Sequence, residues 1–211
     1  MLDVHAPEHG IHGVRDFAVH LLTITAGLLI ALGLEQSVEA VHHRHQRKEA
    51  EAKIREEISE NRTRLMGGAQ ALQDEIEGMN LALQSLESVG AGNKLPEEAK
   101  KKKTQTFSEI SLADAAWRTA SSTGVLSYMD YDEVEKFSGA YESQEEYLAL
   151  SKRATDDYLE LMPVILGGGG EITSERAKEA LPFARSAGGH LTGMHFIGEG
   201  TLDAYNAALN R

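Results

Sequence analysis

The chain of 211 residues contains no cysteine, which excludes disulfide frameworks and thiol chemistry. Only four prolines are present and aromatic residues make up 6% of the sequence, whereas helix-forming residues are plentiful. Basic residues are also few, since 21 lysines and arginines stand against 33 aspartates and glutamates and the formal net charge is −12. Because phosphate binding needs a basic face, we expect no nucleic acid partner. The composition favours an all-α fold.

The longest uncharged run extends from Phe17 to Leu34. Its eighteen residues lie at the short end of the range that spans a bilayer as a helix, about 17–25 residues. A cleaved signal peptide would have a basic leader, but here Arg15 is accompanied by acidic residues. A buried helix of a soluble protein is the other alternative at this length. We predict a retained transmembrane helix over residues 14–35.

One face of this helix differs from the leucine-rich remainder. Following Asp16, helical spacing places on a single stripe His20, Thr23, Gly27, Ala31 and Glu35. Small residues four apart let two helix backbones approach closely, so the stripe predicts a helix-contact face. The partner is a second copy or another membrane protein. In the alternative hypothesis, Asp16, His20 and Glu35 line the axis of an oligomer that conducts or senses ions.

The orientation of this helix in a membrane is left open by its flanking charges. The N-terminal side carries Arg15 alone, whereas Arg44, Arg47, Lys48 and Lys53 follow the helix. The positive-inside rule therefore points the downstream domain to the cytoplasm. These basic residues begin three turns beyond the boundary and are mixed with glutamates, so the prediction specifies a single-pass protein without fixing its side.

The remaining chain divides at its glycines and prolines. We predict a mobile arm over residues 1–13, a solvated helical stalk over 36–66 and a helical soluble domain over 67–211. The stalk has a thin apolar seam of Ile54, Ile58 and Leu65. Gly67–Gly68 predicts a kink or short break, followed by a heptad seam in a different phase from Ala69 to Leu86. Gly90 and Gly92 end that helix.

Further helices follow. Ser111 to Asp114 forms a capping signal for a short helix that contains Trp117, and Asp130 caps a long helix from Tyr131 to Leu166. We predict this long helix as the antiparallel partner of residues 69–86, in a helical hairpin or small bundle. A flexible Gly167–Gly170 hinge precedes a helix that bends or stops near Pro182, and a last segment covers 190–209. The predicted core anchors are Trp117, Phe137 and Tyr141.

The residues whose types and spacing best match a metal site are Glu39, His42, His43 and His45. Carboxylate and imidazole at helical spacing can share a metal, as in the Glu-x-x-His elements of di-iron bundles. Such sites need matching ligands from other helices, and no second Glu-x-x-His occurs in the chain. The alternative is a partly cationic collar near lipid headgroups. No pattern predicts catalysis or a cofactor, so we expect a protein that is not an enzyme.

The run from Gly27 to Glu39, Gly-Leu-Leu-Ile-Ala-Leu-Gly-Leu-Glu-Gln-Ser-Val-Glu, precedes His-His-Arg-His at 42–45. These residues resemble a widespread group of uncharacterised bacterial proteins with an N-terminal membrane helix. Ala116 to Leu126 and Tyr141 are similar to a second block of that group. The resemblance implies an anchored helical protein of the bacterial inner membrane and brings no catalytic residues. The predicted function is structural or accessory, through self-association or as a subunit of a larger membrane complex.

Overall fold

The computed structural model describes residues 13–98, 110–166 and 172–210. Helix α1 spans Val14–Gly90, α2 spans Ala115–Thr123, α3 spans Tyr131–Leu166 and α4 spans Ser174–Leu209, with a short 3-10 helix at Val125–Tyr128. No strand occurs in these ranges, and the all-α prediction is confirmed. Most of the predicted arm and the predicted Gly167–Gly170 hinge lie outside the described residues. The chain divides into two compact units, residues 1–48 and 49–211.

The second unit is a bundle in which the C-terminal part of α1 packs with α3 and α4. Helix α4 runs antiparallel to α3, because His190 pairs with Asp157 while Thr201 pairs with Ser143. It also runs antiparallel to α1, because its first residue, Ser174, donates a hydrogen bond to the Gly90 carbonyl at the end of α1. The antiparallel hairpin of the predicted fold is therefore α3 with α4.

Helices α1 and α3 run in the same direction, which corrects the predicted pairing of residues 69–86 with an antiparallel α3. Arg55 bonds Glu133 near the start of α3, and Asn61 bonds Gln144 about three turns later. A parallel arrangement needs a crossover that returns the chain to the beginning of the bundle part of α1, near Arg55 and Glu57. The segment 110–117 completes this return, since it lies along residues 57–68 of α1 in the reverse direction.

The core face of α1 keeps one heptad phase through Gly67–Gly68, where the helix is unbroken. The prediction of a break and a change of phase at this point is wrong. One row of the seam is apolar and buried, but the other row includes polar or small residues that an apolar pattern does not reveal. The apolar row is Ile58, Leu65, Leu72, Met79 and Leu86, and the second row is Ile54, Asn61, Gly68, Glu75, Ala82 and Val89.

The structure also differs from the predicted solvated stalk over residues 36–66. Ile54 and Ile58 have no exposed surface, and Leu65 is 4% exposed, so the second half of that range belongs to the bundle core. Its thin apolar seam is sufficient because the facing helices cover it on both sides. The compact unit begins at Glu49, before the predicted boundary at residue 67.

Helix α4 presents a narrow core face on which Ala177, Ala180, Ala184 and Ala187 are fully buried. Small side chains let neighbouring helices approach closely. The helix continues through Pro182, where the sequence predicted a bend or stop. Proline removes one backbone hydrogen bond, at a cost of about 3 kcal/mol. Packing along the alanine face evidently outweighs that cost, and the segment 190–209 is the second half of this helix.

The end of α1 follows the sequence prediction. Gly92 has a φ of 85°, in the left-handed region that glycine adopts without strain. Its amide bonds the Val89 carbonyl at 2.9 Å, and the Asn93 amide bonds the Ser88 carbonyl at 3.0 Å. These two bonds form a Schellman motif, which satisfies carbonyls that a helix end would otherwise leave unpaired.

Candidate functional site

The first unit carries an apolar helix surface that the described residues do not cover. The described residues contain one helix, α1, that is long and apolar enough to cross a membrane, with a mean hydropathy of 2.2 over eighteen residues. None of that eighteen-residue window is buried. Leu22 and Ile24 are 71% and 69% exposed. A core helix of a soluble protein would have its apolar residues covered, so this alternative does not fit the segment.

The predicted helix-contact face lies entirely on this open surface. All five of its residues are exposed: His20, Thr23, Gly27, Ala31 and Glu35. A Cβ atom added at Gly27 would meet nothing within 4 Å. The Thr23 hydroxyl donates to the Val19 carbonyl at 2.9 Å, and the His20 Nδ1 atom lies 3.0 Å from the Asp16 carbonyl oxygen. Bonding within the helix reduces the cost of placing these polar groups in apolar surroundings.

The predicted metal cluster lies on the same helix, after the apolar segment. The rings of His42 and His43 have centroids 6.3 Å apart and are tilted by 48°. Among the described residues, no three histidine, aspartate or glutamate side chains come close enough together to hold a metal ion. A site built from Glu39, His42, His43 and His45 would therefore need ligands from further copies of the chain.

The predicted core anchors meet at one end of the bundle. Phe137 is fully buried and Tyr141 is 6% exposed. Trp117 is half-buried, and its ring stacks on that of Tyr141 with centroids 5.3 Å apart and planes 10° from parallel. The Arg55 guanidinium lies 5.2 Å from the centre of the Phe137 ring. The anchors thus connect α1, α2 and α3.

Glu57 caps the start of α2 from another helix. Its Oε2 atom accepts a hydrogen bond from the Ala116 amide at 3.0 Å, and its Oε1 atom accepts one from the Tyr141 hydroxyl at 2.6 Å. Burial, together with this carboxylate, raises the pKa of Tyr141. A negative charge at a helix N-terminus is favourable. Asp114, which the sequence predicted as part of the cap, makes no side-chain cap bond.

A second polar contact fixes the return segment to the core. The Asn61 side chain bonds the backbone of Ala113 in both directions, accepting from its amide at 2.9 Å and donating to its carbonyl at 2.6 Å. The Gln144 Oε1 atom accepts from Asn61 at 2.9 Å and from the Tyr205 hydroxyl at 2.5 Å. Hydrogen bonds of this kind offset the free-energy cost of removing polar groups from water. These residues join α1, α3, α4 and the return segment.

Arg55 provides the corresponding contact at the C-terminal end of α4. Its Nη1 atom donates to the carbonyls of Ala208 and Leu209 at 2.7 and 3.3 Å. Its Nη2 atom bonds Glu133 at 2.5 Å, and its Nε atom bonds Glu51 at 3.2 Å. A cation is favourable at a helix C-terminus. Desolvation, with Glu51 nearby, raises the pKa of Glu133 despite the guanidinium.

The sequence did not predict Glu57, Asn61, Gln144 and Arg55 as contact residues, because the partners that they bind on other elements lie 31 to 154 residues away in the chain. Only the interruption of the apolar heptad at Asn61 gave a signal. These four side chains bind one another's helices and the backbone, and this arrangement holds helices in register.

No protein-family model, curated protein or solved structure matches this chain. The resemblance to bacterial proteins with an N-terminal membrane helix therefore stays a prediction from the residues of the apolar segment and of α2. No relative supplies an activity, substrate or partner for the bundle.

Proposed function

We propose that this protein is a structural or accessory component of a membrane, anchored by residues 14–35 and assembling with a second copy or with another membrane protein. The observation that supports the anchor is that no part of a predominantly apolar eighteen-residue window on α1 is buried. At about 25 cal/mol for each square ångström, leaving this surface in water is strongly unfavourable, whereas a bilayer of about 30 Å matches its length.

The bundle suits a role in binding more than in chemistry. Apart from the Ser151 hydroxyl, the buried polar side chains among the described residues are held by one another or by the backbone. Bonded networks of this kind make a core rigid and specific. A rigid bundle on a membrane anchor presents the same surface each time it meets a partner. The bacterial inner membrane, implied by the resemblance, is the location that we propose.

The protein mass of the detergent-extracted particle tests this function, with identification of any protein that co-purifies. We expect the full chain to float with vesicles and to resist extraction at high pH, and its particle to be a homo-oligomer or a stoichiometric complex. A chain that stays in the soluble fraction would contradict the anchor. A bare monomer in several mild detergents would contradict assembly.

Substitution of Gly27 by leucine tests the helix-contact face. We expect Gly27→Leu to reduce the assembled fraction roughly tenfold, since a loss of 1.4 kcal/mol changes an association constant by that factor. Gly33→Leu is the matched control, because it adds the same side chain to a different face of the helix and both glycines have open space around a Cβ atom. Both variants should insert into membranes, and equal assembly of the two would contradict the face.

A further inference from the structure

An apolar stripe on α1 continues beyond the apolar segment, into the part of the helix that is otherwise polar. Leu34, Val38 and Val41 are 64%, 72% and 70% exposed. Together with Gly27 and Ala31 they alternate at spacings of four and three residues, which is the pattern of a coiled-coil seam. Isolated helices in water are marginal, so a seam exposed on a single helix indicates a missing helical partner.

Lipid does not suffice to cover this stripe. Helix rise places Val38 and Val41 about 6 and 10 Å beyond Leu34, which ends the apolar segment. The headgroup layer on one side of a bilayer is about 5–7 Å thick. A helix close to the membrane normal therefore carries Val41 past the headgroups, where another protein surface has to cover it.

We propose that the stripe pairs with the same stripe of a second copy, in a parallel two-stranded coiled coil that begins in the membrane and extends through Val41. This inference rests on the proposed function, because insertion with one orientation makes two copies parallel. In this register Arg44 and Glu49 lie just beyond Val41 at the positions beside the seam, five residues apart, with His45 and Lys48 at the seam positions between them. In a parallel pair, such positions of opposite chains face one another, so each arginine meets the glutamate of the other copy.

Disulfide cross-linking of the full chain in native-like vesicles tests this pairing, and the absence of natural cysteine makes each introduced thiol unique. Val38→Cys and Val41→Cys lie on the seam, and Ala40→Cys is the control on the outer face of the same turn. A disulfide forms only when Cα atoms approach within about 7 Å. We therefore expect roughly fivefold more covalent dimer from either seam variant than from the control.

The charge pair is tested in the Val38→Cys background. Arg44→Glu should lower the cross-linked fraction, and the added change Glu49→Arg should restore it. Vesicle flotation, measured on the same samples, reports the anchor independently of the pairing. Chains that float but cross-link equally at the three positions, or at none, overturn the coiled coil and leave the anchor standing. Chains that fail to float overturn the proposed function.

Discussion

Among single residues, Gly68 is a glycine that leaves room for a neighbouring segment and does not bend the helix. A Cβ atom at this position would lie 2.1 Å from the Cδ1 atom of Ile110, on the return segment. At the adjacent Gly67 a Cβ atom would meet nothing within 4 Å. Glycine at 68 therefore makes room for the return segment, whereas Gly67 has no such contact and only weakens the helix.

Alanine at these two positions should have opposite effects. We expect Gly67→Ala to raise the free energy of unfolding by about 1 kcal/mol through helix propensity. Gly68→Ala should lower it by about 1 kcal/mol, because overpacking costs more than propensity returns. Chemical denaturation measures both, and the double variant Gly68→Ala with Ile110→Ala tests whether the collision is the cause. Equal stabilisation by both single variants would contradict this account.

The positions that the sequence predicted well are those governed by neighbouring residues. The capping geometry at Gly92 and the apolar row from Leu72 to Leu86 depend on contacts within one or two turns, so composition and spacing reveal them. Asn61 and Glu57 depend on partners from α2, α3 and the return segment. In the sequence, a polar residue on a core face looks like an interruption of the apolar pattern. Its role becomes visible only when the position of the facing backbone is known, and local sequence rules do not give that position.

For whole helices, the contact that joins three of them through a single side chain is centred on Arg55. One guanidinium holds the end of α4, the first turn of α3 and Glu51 of α1. Its side chain is 19% exposed, so these charges are largely withdrawn from water. Removing a partner from such a cluster leaves unpaired charge, and the loss is larger than for an ion pair in solvent.

Substitution of Arg55 by methionine should lower the free energy of unfolding by about 3 kcal/mol. Arg64→Met is the control, because the Arg64 side chain is 48% exposed in its ion pair with Glu60, and such pairs contribute about 0–1 kcal/mol. Hydrogen exchange should also accelerate in the last turn of α4 in the first variant only. Equal denaturation midpoints for the two variants would show that the cluster does not hold the helix ends.

In the molecule as a whole, four tyrosines distributed through the bundle set a limit on stability in alkali. Burial raises the pKa of each of them, to about 12 for Tyr147 and Tyr158. A pKa raised above the ordinary value of 10.0 means that the folded state holds its proton more tightly than the unfolded chain. The stabilisation is complete below pH 10 and is lost as the pH rises through about 12.

We therefore expect the bundle to unfold cooperatively between about pH 10 and 12, with the ionisation of these four tyrosines and the loss of helical circular dichroism changing together. Tyr147→Phe should move this transition to higher pH, because one buried group no longer ionises. Tyr131→Phe is the control, since Tyr131 is 80% exposed. Ionisation of these four tyrosines more than one pH unit below the loss of helix would contradict the linkage.

The direction of α3 was the largest part of the fold that the sequence did not predict. The all-α class and the helix lengths follow from the helical spacing of apolar residues in the sequence. Adjacent helices joined by short loops are usually antiparallel. Here the crossover between α1 and α3 lets them run parallel, and Asn61, Gln144 and Glu57 hold that crossover against the core. The direction is thus decided by a few long-range polar contacts that amphipathic patterns do not contain.

The topology also sets an order of events during synthesis. Arg55 bonds carbonyls 153 and 154 residues later in the chain, so these partners leave the ribosome well after Arg55 does. At about 5–20 residues per second, roughly 8–30 seconds separate the two ends of this contact. The apolar segment is translated before Arg55 and before the α4 carbonyls that Arg55 binds. It can therefore enter a bilayer while α4, which covers the core face of α1, has not yet been synthesised. Under the proposed membrane anchoring, nascent chains of this protein are therefore expected to reach the membrane first and to close their bundle there.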